Sequence, residues 1–263
     1  MNSFSVEREG NVALVTMLGS AMGFDFFTEL PRLFRELDAD ADVRAIVLSG
    51  SGSNFSFGLD LKEVAPMFGA LTTGKSSRAT LLAQVREWQA SITAVADCRT
   101  PIISAIDGWC IGGGIDLIAA TDIRLATTSA QFSVRETKVA IVADLGSLQR
   151  LVGIVGDGHL RELALTGGDI DAARAERIGL VNAVYADSTA LREAALAMAK
   201  TISANSPLVV RGVKDVLDAE RAPRVEAGLR YVAAWNSAFL PSNDLNEAFA
   251  SFAERRAPTF TGD

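Results

Sequence analysis

Histidine is almost missing from this chain: His159 stands alone among 263 residues. A centre built from several histidines is therefore excluded, and a Ser-His or Cys-His nucleophile would have to run through that single side chain. Cysteine is scarce too. Cys98 and Cys110 cannot make a disulfide framework and suit a reducing compartment. The opening residues, MNSFSVEREGNVALV, carry Glu7, Arg8 and Glu9 where a secretory leader needs an apolar run. No stretch approaches the roughly 18 consecutive apolar residues of a membrane span. Positive charge is in deficit, with 25 Lys+Arg against 32 Asp+Glu and a net charge of −7. That balance gives no global footprint for nucleic acid. The expectation is a cytoplasmic protein with neither a nucleic-acid nor a membrane partner. What is abundant is apolar residue, 49% of the chain, enough for a large core without metal or disulfides.

Strand-like and helix-like segments alternate through the first two thirds. Val12–Met17, Arg44–Ser49 and Ile102–Ile106 are short, apolar and β-branched, and 122–126 and 131–134 are shorter strand candidates. Phe24, Phe27, Leu30, Phe34 and Leu37 fall at helical spacing, as do Leu81, Val85, Trp88, Ile92 and Val95. Such alternation predicts an α/β fold with a parallel sheet and helical crossovers. Beyond about residue 188 only helices are expected: 190–204, one opened by Pro207, 224–238 and 245–254. The division drawn is an α/β core at 1–195 and a helical C-terminal region at 196–263. Val209, Val213, Val216, Leu217, Tyr231, Trp235 and Phe239 give that region much apolar surface, for the core or for another subunit.

Two glycine turns follow strands. In IISAIDGWCIGGGIDLIAATD the glycines Gly112, Gly113 and Gly114 lead straight into a helix. Bare backbone and a helix N-terminus together can hold an oxygen on which negative charge develops. A tight strand-to-helix turn accounts for the same glycines equally well. The second turn, FSFGLDLK at 55–62, follows the 44–49 strand. If the two strands are neighbours, one backbone N–H from each turn can meet at a single carbonyl oxygen.

GLDLKEV, GWCIGGGIDLIAATDIRLAT, AQFSVRETKVAIVADLGSLQRLVG and ALTGGDIDAARAERIGLVNAVY, in that order, resemble the enoyl-CoA hydratase/isomerase (crotonase) superfamily. The resemblance implies a spiral of ββα units with a helical C-terminal region, assembled as a homotrimer or a dimer of trimers. It implies an acyl-CoA thioester substrate and no separate cofactor, since coenzyme A is part of the substrate. It places the two enolate-stabilising amides at Leu59 and Gly113. Phe57, Gly58, Asp60 and Lys62 flank the first and Gly112 and Gly114 the second as substrate-binding candidates. Family members also carry a basic loop after the first strand, whereas MLGSAMGFD here is shorter and has no positive charge.

With histidine nearly absent, acid and base must come from carboxylates. Asp116 lies just after the glycines, Glu136 in FSVRETK and Asp144 in VAIVADLG. Hydratases of the superfamily typically carry Glu at the first two positions. An Asp at the first, with a third acid at Asp144, is most similar to the 3,5-dienoyl-CoA to 2,4-dienoyl-CoA isomerase branch. Taken by the residues alone, Asp144 reads first as an N-cap for the helix containing Ser147, and Glu136 as a solvated charge beside Arg135 and Lys138. Asp116, in a first helical turn, suits the helix dipole whatever else it does. The resemblance makes Glu136 and Asp144 the acid–base pair and leaves Asp116 either chemical or orienting. A 2-enoyl-CoA hydratase is the alternative within the superfamily. From another class, GALTTGKS at 69–76 matches a P-loop-like nucleotide-binding pattern, but LKEVAPMF before it does not read as a central strand.

Overall fold

A computed structural model describes residues 1–72, 74 and 76–263. Apolar β-branched runs become the strands of the main sheet. They are β1 (Phe4–Glu9), β2 (Val12–Met17), β4 (Ala45–Gly50), β6 (Ile102–Ile106), β8 (Ile123–Thr127) and β11 (Ala183–Tyr185), side by side in that order. β1 and β2 are antiparallel and every other pairing is parallel. β6 is buried along its whole length, as a strand covered on both faces must be. Short strands form two further layers. β3 (Ala21–Met22) pairs with β5 (Gly58–Leu59), and β7 (Trp109–Ile111), β9 (Gln131–Ser133) and β10 (Ile170–Asp171) form a small sheet. The chain leaving β2, β4, β6 and β8 thus feeds in turn the short strands β3, β5, β7 and β9.

Helices cover both faces. α1 (Phe24–Ala39) and α3 (Arg78–Ala96) pack together, with Trp88 5.2 Å from Phe27 between ring centres. α2 (Leu61–Thr72) lies between them in the chain, and α4 (Gly113–Ala119) is buried throughout. A 3₁₀ turn (Glu136–Val139), α5 (Ser147–Arg150), α6 (Val152–Val155), α7 (Asp157–Thr166) and α8 (Ala172–Arg177) follow. α9 (Ser188–Ser203) lays Leu191, Ala195 and Ala199 on the opposite face of the main sheet. The 195/196 line therefore falls inside α9, which packs on the sheet across that line. Beyond it come α10 (Pro207–Phe239) and α11 (Asn243–Glu254).

One expectation changes and one doubt is upheld. The helices anticipated from Pro207 and over 224–238 are one helix of 33 residues that runs through Pro223. Proline removes one helical hydrogen bond, and here the freed carbonyl, that of Ala219, belongs to an exposed residue that water can serve. The P-loop-like reading also fails on topology. Helix α2, not a strand, precedes it, and Ser77 caps α3 just after it by accepting from the Thr80 N–H at 3.1 Å. Its Lys75 lies outside the described residues. Among the described residues, no helix is long and apolar enough to cross a membrane.

Restoring the missing N–H should strengthen α10. Pro223→Ala is expected to raise unfolding stability by about 2 kcal/mol, most of the interior-proline penalty less the gain in unfolded-chain entropy. A urea midpoint that is unchanged or lower would count against a continuous helix there.

Candidate active site

β4 and β6 are neighbours, with Ile46 opposite Ile102, so their following turns emerge at one sheet edge. The turns touch backbone to backbone. A Cβ added to Gly58 would sit 2.7 Å from the Gly113 nitrogen and 2.9 Å from the Ile111 oxygen, closer than any side chain tolerates. Gly58 also has φ +78°, a region that L side chains rarely adopt. From the other side, a Cβ on Gly113 would lie 3.6 Å from the Leu59 nitrogen. On either side of it the Phe57 and Asp60 N–H groups donate to Ser20 O and Met22 O, at 2.6 and 3.0 Å, whereas the Leu59 nitrogen lies beside Gly113. Gly113 is the first residue of α4, where no intrahelical acceptor exists for its N–H. Two main-chain donors from separate turns therefore flank one small volume.

Three carboxylates border it. Glu136 turns inward: its Oε1 would be 3.6 Å from a Cβ on Gly112, and its Oε2 is buried without a hydrogen-bond partner among the described residues. Its charged neighbours do not neutralise it. Arg135 is paired with Asp169 at 2.5 Å and lies 5.5 Å over the Trp109 ring, and Lys138 runs along Gly167. Burial, helped by the charges of Asp116 and Asp144, pushes Glu136 up to about 8. Burial likewise raises Asp144 to about 7, with Asp116 adding to the rise and a hydrogen bond from Asn236 opposing it. Asp116 is raised to about 6, again chiefly by burial, while hydrogen bonding to Ser147 and the charge of Arg150 hold it down. Water-poor surroundings bring all three toward neutrality, and repulsion from neighbouring acids adds to this at Glu136 and Asp144, so that proton exchange is eased.

The helix cap comes from an unexpected side chain. α5 begins after Gly146, and the carboxylate that accepts its Ser147 N–H, at 2.5 Å, is Asp116 Oδ1 from α4. Asp144 is therefore not the cap and is free for other work. Asp60, expected at the substrate, caps α2 through Oδ1, which accepts from the N–H groups of Lys62 and Glu63 at 3.0 and 3.2 Å. Gly114 serves packing, since a Cβ there would meet Ser56 Cβ at 2.9 Å and Cys110 Sγ at 3.3 Å. Gly112, at φ +53°, shapes the turn beneath Glu136. Phe57 and Lys62 are exposed beside the first donor. His159 is part-exposed, next to Glu162 and Arg174.

Four contributors were not singled out from the sequence: Gln89, Ser147, Arg150 and Asn236. Asn236 had a readable signal. It completes the buried stripe Leu229, Val232, Ala233, Asn236, where an amide on an apolar helix face needs a partner. Arg150 is buried, donating to Leu145 O at 3.3 Å and Thr93 Oγ1 at 3.1 Å.

A pair of main-chain N–H groups beside a cluster of carboxylates is the kind of arrangement that suits proton exchange next to a developing oxyanion. Comparison with known proteins gives the family. The enoyl-CoA hydratase/isomerase model matches residues 7–263, and the chain belongs to that family. It is 45% identical to a mitochondrial Delta(3,5)-Delta(2,4)-dienoyl-CoA isomerase of Dictyostelium discoideum, over 92% of this chain and 83% of that one. It is 44% identical to the peroxisomal enzyme of that name from Arabidopsis thaliana, over 92% and 88%. Among solved structures, carnitinyl-CoA hydratase from Mycobacterium avium superposes with a TM-score of 0.82 at 31% identity, covering all of both chains. The spiral α/β fold with its helical C-terminal region is therefore as the resemblance implied. The compartment names overturn the cytoplasmic expectation.

Because the Leu59 donor is main chain, Leu59→Ala should retain most activity, within about tenfold. Gly58→Ala should lose at least two orders of magnitude, roughly the value of one oxyanion donor, since the added methyl forces the turns apart. Turnover of both variants on one acyl-CoA substrate checks this, and equal losses would count against main-chain donation.

Proposed function

We propose that this protein is a dienoyl-CoA isomerase that moves both double bonds of a 3,5-dienoyl-CoA to the 2,4 positions. The observation that carries the reading is a third carboxylate, the half-buried Asp144, close enough to Glu136 to raise its proton affinity. In the reaction, one carboxylate takes a proton from the carbon next to the thioester carbonyl. Negative charge then spreads along the conjugated chain to the thioester oxygen, where the N–H groups of Leu59 and Gly113 receive it. A second carboxyl returns a proton to the far carbon. Glu136 and Asp144 form this pair, and Asp116 holds the 144–147 turn through Ser147 while its charge keeps both partners easy to protonate. No cofactor is invoked, as coenzyme A belongs to the substrate.

Hydration of a 2-enoyl-CoA, the second reading, fits less well. It asks two carboxylates to grip one water, and Asp116 already has an oxygen committed to the Ser147 N–H. The names of the two eukaryotic relatives support isomerisation as well.

Isomerisation brings the diene into conjugation with the carbonyl and raises ultraviolet absorbance, whereas hydration lowers that of a 2-enoyl thioester. Glu136→Gln and Asp144→Asn should each lose at least about two orders of magnitude in rate. The pair must hold one proton between them, so the rate should fall below about pH 7 as both carboxyls protonate and above about pH 8 as both ionise. Near-normal turnover by either variant, or a rate flat from pH 6 to 9, would refute the pair.

The assembly proposed is a homotrimer or a dimer of trimers. Leu208, Val209, Val213, Val216 and Leu217 at one end of α10 are exposed, as are Tyr231, Trp235 and Phe239 at the other. Sedimentation should give at least three times the 27.8 kDa chain mass. A monomer at micromolar concentration would contradict it.

A further inference from the structure

Asp144 is held by two amides from helices that are distant in sequence. Asn236 Nδ2, on α10, donates to Asp144 Oδ2 at 2.6 Å and to Val142 O at 2.8 Å. Gln89 Nε2, on α3, donates to the main-chain oxygen of Asp144 at 2.7 Å and to Leu229 O on α10 at 3.0 Å. Asn236 is 1% exposed and Gln89 6%. The orientation of the Asn236 amide is not arbitrary. Val142 O can only accept, so the atom that faces both it and Asp144 must be the nitrogen.

We propose that Asn236 is a positioning residue that decides which oxygen of Asp144 carries the exchanged proton. An amide N–H can donate but not accept, so Oδ2 is held as an acceptor in both protonation states. A carboxyl's carbonyl oxygen is a better acceptor than its hydroxyl oxygen, so the contact favours the proton on Oδ1. Without that contact the proton could occupy either oxygen, and only one is placed for transfer. Gln89 fixes the backbone from the other side, so the clamp sets both the height of the turn and the rotation of the carboxyl. The charged groups near Asp144 are Glu136 on the 3₁₀ turn and Asp116 on α4, with Arg150 on α5 beneath Asp116. The contacts from α3 and α10 are both neutral. Loss of the Asn236 donor therefore leaves Asp144 facing two acids with less to stabilise its ionised form, and its midpoint must rise.

The inference rests on Asp144 being one of the acid–base pair, and the test separates the two claims. In the full-length protein, Asn236→Leu removes the donor at similar volume. Asn236→Ser keeps a shorter donor and is the variant to measure if the leucine form does not fold. Val232→Ala, on the same helix face, loses packing alone. The Asp144 carboxyl is titrated by carbon-13 NMR, which needs no substrate, and kcat and KM are measured across pH on a 3,5-dienoyl-CoA. Asn236→Leu is expected to move the Asp144 midpoint up by about one unit, and the acid limb of kcat with it. Its kcat should fall roughly 10- to 100-fold with KM within threefold, a misorientation effect. Asn236→Ser should recover at least part of both changes, and Val232→Ala should move neither the midpoint nor the limb. An unmoved midpoint in folded Asn236→Leu or, failing that, a midpoint in Asn236→Ser as unmoved as in Val232→Ala with kcat and KM intact, overturns the inference. Absence of isomerisation by the unmodified protein would instead overturn the functional reading, while the NMR midpoints still report on the clamp.

Discussion

The site depends on the contact between two stretches of bare backbone. Gly58 and Gly113 come from turns that follow neighbouring strands, and no side chain fits between them. That approach sets where the two N–H groups stand relative to each other. It needs no charged side chain, which suits a pocket that must stay dry. Charge in such a pocket is costly unless it is paired or neutralised, so donors made of main chain provide polarity without adding an ion.

The same dryness governs the carboxylates. Each of the three would be ionised in water at neutral pH; burial holds all three nearer to protonation, and repulsion from neighbouring acids adds to it at Glu136 and Asp144. The surrounding protein then grades them by hydrogen bonding. Asp116 is held at Ser147 and lies nearest the charge of Arg150, Asp144 receives one amide, and Oε2 of Glu136 has no partner among the described residues. Asp116, with the Ser147 hydrogen bond and the Arg150 charge, is raised least. Carboxylates with different affinities for one proton are what a proton-moving site requires.

Much of the fold was legible because the periodicities were strong. Val12–Met17 and Ile102–Ile106 are strands with the bounds read from their residues, and the 81–95 stripe is the buried face of α3. β1 was missed because Glu7, Arg8 and Glu9 make its outer half polar, and an edge strand tolerates that. The two-residue strands β3 and β5 are too short for any period to show. α10 read as two helices because Pro223 is a strong local stop signal, and here tertiary packing on both sides of it overrides the signal.

The residues alone pointed acid–base work toward carboxylates, since histidine is nearly absent, and showed that two glycine turns follow apolar strands. Similarity of motifs, rather than composition, assigned Leu59, Gly113, Glu136 and Asp144 their parts. Only the tertiary structure decided which acid caps which helix. Asp144 is close in sequence to the α5 start, yet Asp116, 31 residues away, accepts the Ser147 N–H. It also decided that Asn236, 92 residues beyond Asp144, reaches its carboxyl. Capping and clamping are matters of distance in space, and folding brings together side chains whose separation along the chain carries no trace of that proximity.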